Sequence, residues 1–331
     1  MTRRFLLGCA AILTMGLAKA QDPEMTQYYA APIYTNPAMA GTGSCNGGGR
    51  ININYRNQWP SLPGTFVTTL ASYDQHFDAI GGGIGFIAMN DVAGEGKLTS
   101  NTFAGIYSYQ LIVNRKFTMR FGLEAQFVSR SIDWKKLRFP DQIDPTKGFT
   151  LPTQEPINPN VINYPNFSGG VLGYTERFYC GLAVHNMIEP IQSFLGTQDS
   201  KLPRRYTLHS GLVIPLDHSY DIANSNTTIS PNLLFMVQNK FTQMNLGFYY
   251  NRGPLVTGLW YRQTFGKYIN SDAVMVLVGF RKERFKFGYS FDLTVSSARQ
   301  AAPMSHEVSA SIEWCARKRA IKWNNLSCPD F

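Results

Sequence analysis

The sequence is short of charged side chains, histidine and long apolar runs, and each shortage excludes a class of protein. Charged residues make up 16% of the 331 residues, against about 25% in typical soluble domains, which disfavours a charge-rich helical protein. Beyond residue 20, no apolar run approaches the ~20 residues of a membrane-spanning helix. The five histidines lie in separate segments without a zinc-type spacing. The sequence therefore predicts no metal, no cofactor and no catalytic residue, and any membrane crossing has to use strands.

Aromatic residues are plentiful instead. They make up 13% of the chain, with 22 Phe and 17 Tyr, and hydrophobic residues reach 44%. Such a composition excludes intrinsic disorder. The formal net charge is +9. Nucleic-acid binding is still not expected, because the patterns described below predict an exported chain whose aromatic residues face lipid.

Residues 1–20 have the pattern of a cleaved signal peptide. Two arginines precede an apolar stretch at 5–17, and Ala18-Lys19-Ala20 supplies the small-x-small site after which a signal peptidase cuts. A lipobox-like stretch ends at Cys9, but it lies too early in the apolar region to favour lipidation. We therefore expect an exported protein that begins at Gln21.

Four cysteines remain after cleavage: Cys45, Cys180, Cys315 and Cys328. An even number in an oxidising compartment permits disulfide pairing. Cys315 and Cys328 lie close together in a short C-terminal tail, so we predict a bridge between them. Two free thiols, or a bridge that involves Cys45, are the alternatives.

Hydrophobic residues alternate strictly with polar ones in several long segments. Over 117–127, six apolar residues alternate with Thr118, Arg120, Gly122, Glu124 and Gln126, which is the period of a strand. Eleven such residues exceed a typical soluble strand and match the roughly 9–11 residues of a tilted membrane strand. Arg120 and Glu124 share the polar face, and we predict that they form a charge pair in the lumen.

The same pattern, interrupted by turn signals, predicts fourteen strands. They lie near 49–57, 65–76, 80–90, 100–113, 117–131, 165–175, 177–186, 204–215, 226–239, 242–252, 254–266, 271–282, 284–296 and 303–314. Short turns alternate with long loops, as in outer-membrane barrels. The prediction is an all-β, transmembrane antiparallel β-barrel.

The predicted organisation has four parts. A signal peptide at 1–20 precedes an N-terminal periplasmic or plug segment at 21–48, the barrel at 49–314 and a periplasmic tail at 315–331. The stretches 81–90 and 272–282 are apolar on both faces, which departs from the alternation. A lumen packed with side chains would explain them.

Several segments, taken in order, resemble one protein family. They include 22–41 with its Asn36-Pro37 step, Tyr55-Arg56-Asn57-Gln58-Trp59-Pro60, Gly288-Tyr289-Ser290-Phe291-Asp292, and the closing Cys315 and Cys328-Pro329-Asp330-Phe331. The chain resembles the PorP/SprF outer-membrane proteins, found in Bacteroidota alongside the type IX secretion and gliding machinery.

The resemblance implies a tethering function without catalytic residues. Its partners would be outer-membrane lipid and either a secreted surface adhesin or periplasmic components of the type IX secretion system. The candidate partner-binding residues are Tyr28, Tyr29, Asn36, Pro37, Arg56, Trp59, Arg317, Lys318, Arg319 and Phe331. A scaffold with its N-terminal segment and tail presented to the periplasm is therefore the first hypothesis. A diffusion channel for small apolar molecules is the alternative, and an enzyme is the least favoured.

Overall fold

Alternating side chains along the sequence form a closed wall of strands. The computed structural model describes residues 22–43, 48–62, 64–144, 146–154, 160–194, 200–217, 225–266, 272–296, 304–315 and 328. Among these residues no helix is long and apolar enough to span a membrane.

Fourteen antiparallel strands make up the wall within the described residues. They are β1 (Gly49–Gln58), β2 (Thr65–Phe77), β3 (Gly82–Gly94), β4 (Leu98–Asn114), β5 (Phe117–Ser131), β6 (Val161–Tyr174), β7 (Phe178–His185), β8 (Arg205–Leu212), β9 (Thr227–Gln238), β10 (Phe241–Arg252), β11 (Leu255–Phe265), β12 (Ala273–Lys282), β13 (Phe285–Thr294) and β14 (Met304–Trp314). Two further residues, Ile214–Pro215, extend β8 along β9. The predicted fourteen-stranded antiparallel barrel is confirmed.

The wall closes because its first and last strands pair. Gly49 lies opposite Trp314 and Gln58 lies opposite Ser305 in the β1–β14 ladder. Each of the other strands pairs with its neighbours in sequence, including β8 with β9. A closed wall leaves no strand edge unpaired, which is the condition for strands to cross a bilayer.

The barrel has two ends, which we call the turn end and the loop end. The turn end carries Gly49 and Trp314 and joins strands by turns such as 115–116 and 283–284. The loop end carries the longer connections, of which 132–160 contains 3-10 turns at Trp134–Lys136 and Pro140–Gln142 and a small hairpin of Ile143–Asp144 with Gly148–Phe149. Strands β3 and β4 extend farther than predicted, so their connection shrinks to 95–97.

The outer face of the wall is apolar. Leu123 and Phe103 expose 68% and 58% of their surface, and Phe86 and Phe287 are similarly exposed. Inward positions of the same strands carry buried polar residues such as Arg120. The wall therefore presents hydrocarbon to a bilayer and polar groups to the lumen.

Two strands depart from this alternation because an N-terminal segment of the chain fills the lumen beside them. On β3, Ile87 and Met89 point inward and pack with Ile33. On β12, Met275 and Leu277 pack in a second cluster with Tyr28. The apolar inner faces of 81–90 and 272–282 thus contact an N-terminal segment inside the barrel.

Candidate functional site

Residues 22–43, which we call the lumen segment, run through the barrel from the loop end to the turn end. At the loop end, Asp22 accepts a hydrogen bond from Asn186 (2.7 Å) and lies 3.4 Å from the Arg205 guanidinium. At the turn end, the Gly41 amide donates to Asp74 (2.8 Å). The segment therefore spans the lumen before the chain enters β1.

Prolines and one asparagine give the lumen segment its compact path. It contains short helices at Tyr28–Ala30, Pro32–Thr35 and Pro37–Met39. Two of them begin with proline, which suits the first helical position because its missing N–H is not needed there. Asn36, extended between them, accepts a hydrogen bond from the Ala38 amide through its side chain.

A buried charge cluster holds the first third of the lumen segment. The Arg56 guanidinium lies 3.1 Å from Asp292 and 3.4 Å from Glu307. The Thr26 hydroxyl donates to Asp292 (2.6 Å), and its amide donates to Glu307 (2.7 Å). Arg56 is 2% exposed and Glu307 is fully buried, so solvent screens these interactions little.

A second guanidinium joins the lumen segment to the same cluster. Arg262 lies 3.3 Å from Glu24 and 3.5 Å from Asp292. Gln243 also donates to the Glu24 carboxylate. Asp292 is thus shared by Arg56, Arg262 and Thr26, so a change to one partner alters the others.

Gln27 uses its amide fully. Its Nε2 donates to the Ser290 hydroxyl (3.1 Å) and to the Glu307 carbonyl (2.8 Å), and its Oε1 accepts from Ser309 (2.5 Å). Its own backbone amide donates to Glu307 (3.2 Å). These bonds fix the segment on β13 and β14.

Asn36 occupies a socket in the wall. Its Nδ2 donates to the carbonyls of Val171 (3.2 Å) and Leu182 (3.3 Å) and lies 3.0 Å from His209 Nε2. The socket exists because Gly170 and Gly181 have no side chains there: a Cβ at either position would overlap the Asn36 amide. Glycine in this part of the wall marks close approach of another backbone.

Arg120 anchors the turn-end part of the lumen segment. Its guanidinium donates to the Ala40 carbonyl and to Gln110 (2.9 Å), and lies 2.9 Å from His76 Nδ1. Gly122, on the same face of β5, leaves room for Pro37 and Ala38.

A cavity remains at the loop end, where the lumen segment begins. Polar side chains predominate in its lining, which includes Asp22, Asp91, Glu124, Arg130 and Arg205. Tyr34 of the lumen segment forms part of its floor and lies under the Arg205 guanidinium. The lumen segment therefore fills the middle of the lumen and leaves this pocket at the loop end.

The long loop uses its carboxylates for its own turns. Asp141 accepts from Thr153 and Gln154. Hydrogen bonds from Thr146 and the Lys147 amide lower the pKa of Asp144 below its usual value. In the described part of the chain, no group of three or more His, Cys, Asp or Glu residues could hold a metal ion.

A family model described as "Type IX secretion system membrane protein PorP/SprF" matches residues 17–312. This range covers the lumen segment and nearly the whole wall. The chain belongs to the PorP/SprF family. It is thus an outer-membrane barrel of the type IX secretion system. The family implies partners in the membrane and in the secretion system. It is not a known class of enzyme. No curated protein matches the sequence.

Solved outer-membrane barrels resemble this PorP/SprF protein at low identity. Omp33 of Acinetobacter baumannii is 8% identical, with coverage of 81% of this chain and 99% of that chain and a TM-score of 0.47. The toluene transporter TbuX of Ralstonia pickettii is 9% identical, with coverage of 86% and 92% and a TM-score of 0.47. The toluene transporter TodX of Pseudomonas putida is 8% identical, with coverage of 89% and 94% and the same score. Scores this low carry no argument about function.

The sequence predicts a periplasmic or plug segment at 21–48; residues 22–43 of this PorP/SprF protein lie in the lumen, where a plug would be, and are not presented to the periplasm. Tyr28, Asn36, Pro37 and Arg56 are buried in the lumen, and Tyr29 packs edge-on against Tyr249. Tyr28, Tyr29, Asn36 and Pro37 pack against the inside of the wall because Pro and Asn turns fold the segment into the barrel, and Arg56 is a wall residue that donates to Thr26 of the segment.

The other partner-binding candidates lie elsewhere. Trp59 is half-buried at the loop end, against Phe66. Arg317, Lys318, Arg319 and Phe331 lie outside the described residues.

The predicted lumen charge pair is also wrong as a pair. Arg120 and Glu124 both point into the lumen, but Arg120 binds Ala40 and Gln110, whereas Glu124 accepts from Gln126. Four strand residues separate two positions by about 13 Å, which is beyond ion-pair distance.

The predicted Cys315–Cys328 bridge is absent. Cys315 is disulfide-bonded, whereas Cys328 keeps its thiol and is buried among Tyr174, Tyr179 and other apolar residues. Cys315 lies beside Gly48, where a Cβ would be 3.1 Å from the Cys315 Cα. A bridge that involves Cys45 stays a prediction, because Cys45 lies outside the described residues.

Sequence reasoning missed the residues that hold the lumen segment. They are Asp22, Glu24, Thr26 and Gln27 on the segment and Arg262, Asp292 and Glu307 on the wall. The polar positions of β13 and β14 are the signal that could have found Asp292 and Glu307, since alternation assigns both to the lumen face. Nothing in the sequence indicates which segment they bind.

Proposed function

We propose that this protein is a scaffold that holds a secreted surface protein or a periplasmic component of the type IX secretion and gliding machinery at the outer membrane, and not a pore. The observation that carries the proposal is the filled lumen. Residues 22–43 traverse it and bind the wall at both ends. Because such a barrel is closed along its axis, it would act through surfaces that are fixed at the membrane and can bind other proteins.

The strength of the closure supports a tether over a channel. The buried Arg262 of the wall lies 3.3 Å from Glu24 of the lumen segment, and the Thr26 and Gln27 amides of the segment donate to the buried Glu307. Breaking one partner of a buried ion pair costs about 3–5 kcal/mol. A small apolar solute makes no interaction that would replace such a pair, so it would not displace the segment.

The turn end is the surface that we assign to periplasmic partners. Short turns face the periplasm in outer-membrane barrels, and the tail begins at this end with the disulfide-bonded Cys315 after Trp314. The tail carries Arg317, Lys318 and Arg319, a cationic run that would attract an acidic partner. Secreted surface partners would meet the loop end, where Trp59 is half-buried.

Affinity purification from outer membranes tests the tether directly. We expect the intact protein to copurify a secretion or gliding component, and the variant lacking 316–327 to lose it while still assembling. The matched control, Lys282→Ala/Arg284→Ala, removes charge from another turn at the same end. Equal recovery of partners with and without 316–327 would contradict a docking role for the tail.

Conductance in planar bilayers tests the alternative diffusion channel. We expect no steady current through the intact protein and an open pore in a variant that lacks 24–40, which serves as the positive control. Heat-modifiable migration must first show that both variants are folded, because barrels keep their structure in detergent until they are boiled. A steady current through the intact protein would favour the channel.

The assigned orientation can be tested on intact cells. An epitope inserted near Thr150 lies in the loop 132–160, and we expect it to be labelled without permeabilisation. One inserted in the turn 115–116 should be labelled only after permeabilisation. The reverse pattern would exchange the two ends and contradict the periplasmic assignment of the tail.

A further inference from the structure

The loop-end cavity contains an unbalanced buried carboxylate. Three carboxylates (Asp22, Asp91 and Glu124) and two guanidiniums (Arg130 and Arg205) line it, so one negative charge is in excess. Glu124 is 4% exposed. A buried charge without a partner is costly, and proteins usually pair it.

Glu124 is the carboxylate that lacks its own counter-ion. Its Oε1 accepts from the Gln126 amide, whereas its Oε2 is buried without any hydrogen-bond partner. The charged groups that act on Glu124 are Arg205 and Asp22. Arg205, however, is already placed 3.4 Å from Asp22.

Among the other charged groups of the cavity, Arg130 Nε and Arg205 Nε are also buried without a hydrogen-bond partner, but no other carboxylate oxygen of the lining is. Asp91 accepts from the Thr68 hydroxyl (2.6 Å) and is also influenced by Arg130. Arg130 itself donates to Gln192, and His185 directs Nε2 to the Thr35 carbonyl (3.2 Å). A ligand that completes this site therefore has to bring a positive charge and N–H donors to Glu124 Oε2.

We propose that the loop-end cavity is a binding site for a primary ammonium group, with Glu124 as its counter-ion. An ammonium carries three donors, which suits the carboxylate and the amide and hydroxyl oxygens of the lining. Charge-assisted hydrogen bonds of this type are roughly twice as strong as neutral ones.

One source of the ammonium is the chain itself. Asp22 lines the cavity, and cleavage after Ala20 would create an α-amino group one residue away from it. Consecutive Cα atoms are about 3.8 Å apart, so this group would be joined to Asp22 by a single residue. The other source is an external amine, such as a lysine side chain of a partner that approaches the loop end.

Amine labelling tests the internal source on the full-length protein purified from outer membranes. Mass spectrometry first identifies the N-terminus. Acylation of the α-amino group should then be roughly tenfold slower in native than in boiled protein, the factor that corresponds to one charge-assisted hydrogen bond. Glu124→Gln, which can still accept from Gln126, should abolish this protection. Glu313→Gln, at the turn end, should leave it intact.

Ethylammonium chloride tests the external source, with equal sodium chloride as the reference. A rise in the unfolding temperature of the native protein, absent in Glu124→Gln, would assign the site to an external amine. If the leader is uncleaved, or if Gln21 has cyclised to a lactam, there is no free α-amino group next to Asp22. The internal source is then excluded, and the ethylammonium experiment alone tests the site. Equal labelling in native and boiled protein together with no ethylammonium effect would overturn the proposal. Because neither arm measures conductance or partners, its failure is distinct from failure of the tether.

Discussion

The outer and inner faces of the same strands are built on different rules. On β5, Phe121, Leu123 and Phe127 face outward and are exposed on the outside of the wall. Arg120, one position from Phe121, binds the carbonyl of Ala40, 80 residues away in sequence. The outer face therefore needs only hydrophobicity, whereas the inner face needs particular partners.

This difference separates the generic part of the molecule from the specific part. Any apolar residue satisfies a lipid contact, since lipid tails make no directional bonds. The inner face instead holds ion pairs, amide bonds and glycine sockets that fit a single segment. Substitutions on the inner face should therefore depend on the partner, and those on the outer face on depth in the membrane.

Arg56→Met should have the largest effect on stability. It removes the positive partner of Asp292 and Glu307, which are buried, and an uncompensated buried charge costs about 3–5 kcal/mol. The free energy of unfolding, measured in detergent by loss of heat-modifiable migration, should fall by that amount. Arg56→Lys keeps the charge but not the fork-shaped donor, so its free energy of unfolding should lie between those of the parent protein and Arg56→Met. A loss below about 1 kcal/mol would mean that the inner cluster is not the specific part of the molecule.

Leu123→Arg should have the next largest effect, and its size should depend on depth. Leu123 is 68% exposed near the middle of β5, where arginine on the lipid face costs about 2–4 kcal/mol. Phe285→Arg is the matched control, because Phe285 is exposed at the turn-end start of β13 and the cost there is about 0–1 kcal/mol. Similar losses at the two positions, measured by urea unfolding in lipid vesicles, would show that the outer face is not in contact with a bilayer core.

The same difference explains what the sequence predicts and what it does not. Most of the fourteen strands follow from period-two alternation, because the lipid face needs only hydrophobic residues. The strands β3 and β12, which are apolar on both faces, follow from the turn signals that flank them. The same argument correctly places Arg120 and Glu124 in the lumen. It does not predict that they bind Ala40 and Gln126, respectively. The bridge between Cys315 and Cys328 fails for the same reason, since closeness in sequence does not reveal that Cys328 is buried against Tyr179. Alternation in the sequence predicts which face of the wall a side chain lies on, but its contacts depend on the three-dimensional fold.

Gly122→Ala should have an intermediate effect through the lumen segment alone. A Cβ at Gly122 would overlap the backbone of Pro37 and Ala38, and overpacking of this kind costs about 1–3 kcal/mol. Gly105→Ala is the control, because Gly105 faces outward with nothing within 4 Å of the added carbon. Unfolding in detergent should therefore separate the two glycines, although both lie in neighbouring strands. If both variants match the parent protein, the segment does not sit on Gly122.

Lys286→Met should have the smallest effect, although the pair it removes has good geometry. Lys286 Nζ lies 3.0 Å from Glu313 Oε1, as close as Arg56 lies to Asp292. The side chains of the turn-end pair are 20% and 10% exposed, against 2% and 4% for Arg56 and Asp292, so water and salt screen the pair at the rim. Pairs of this kind contribute about 0–1 kcal/mol, and the contribution should shrink further at high ionic strength. A double-mutant cycle with Glu313→Gln at low and high salt measures the coupling. A coupling as large as that of the Arg56 cluster would mean that charge, and not burial beside the lumen segment, determines the cost on the inner face.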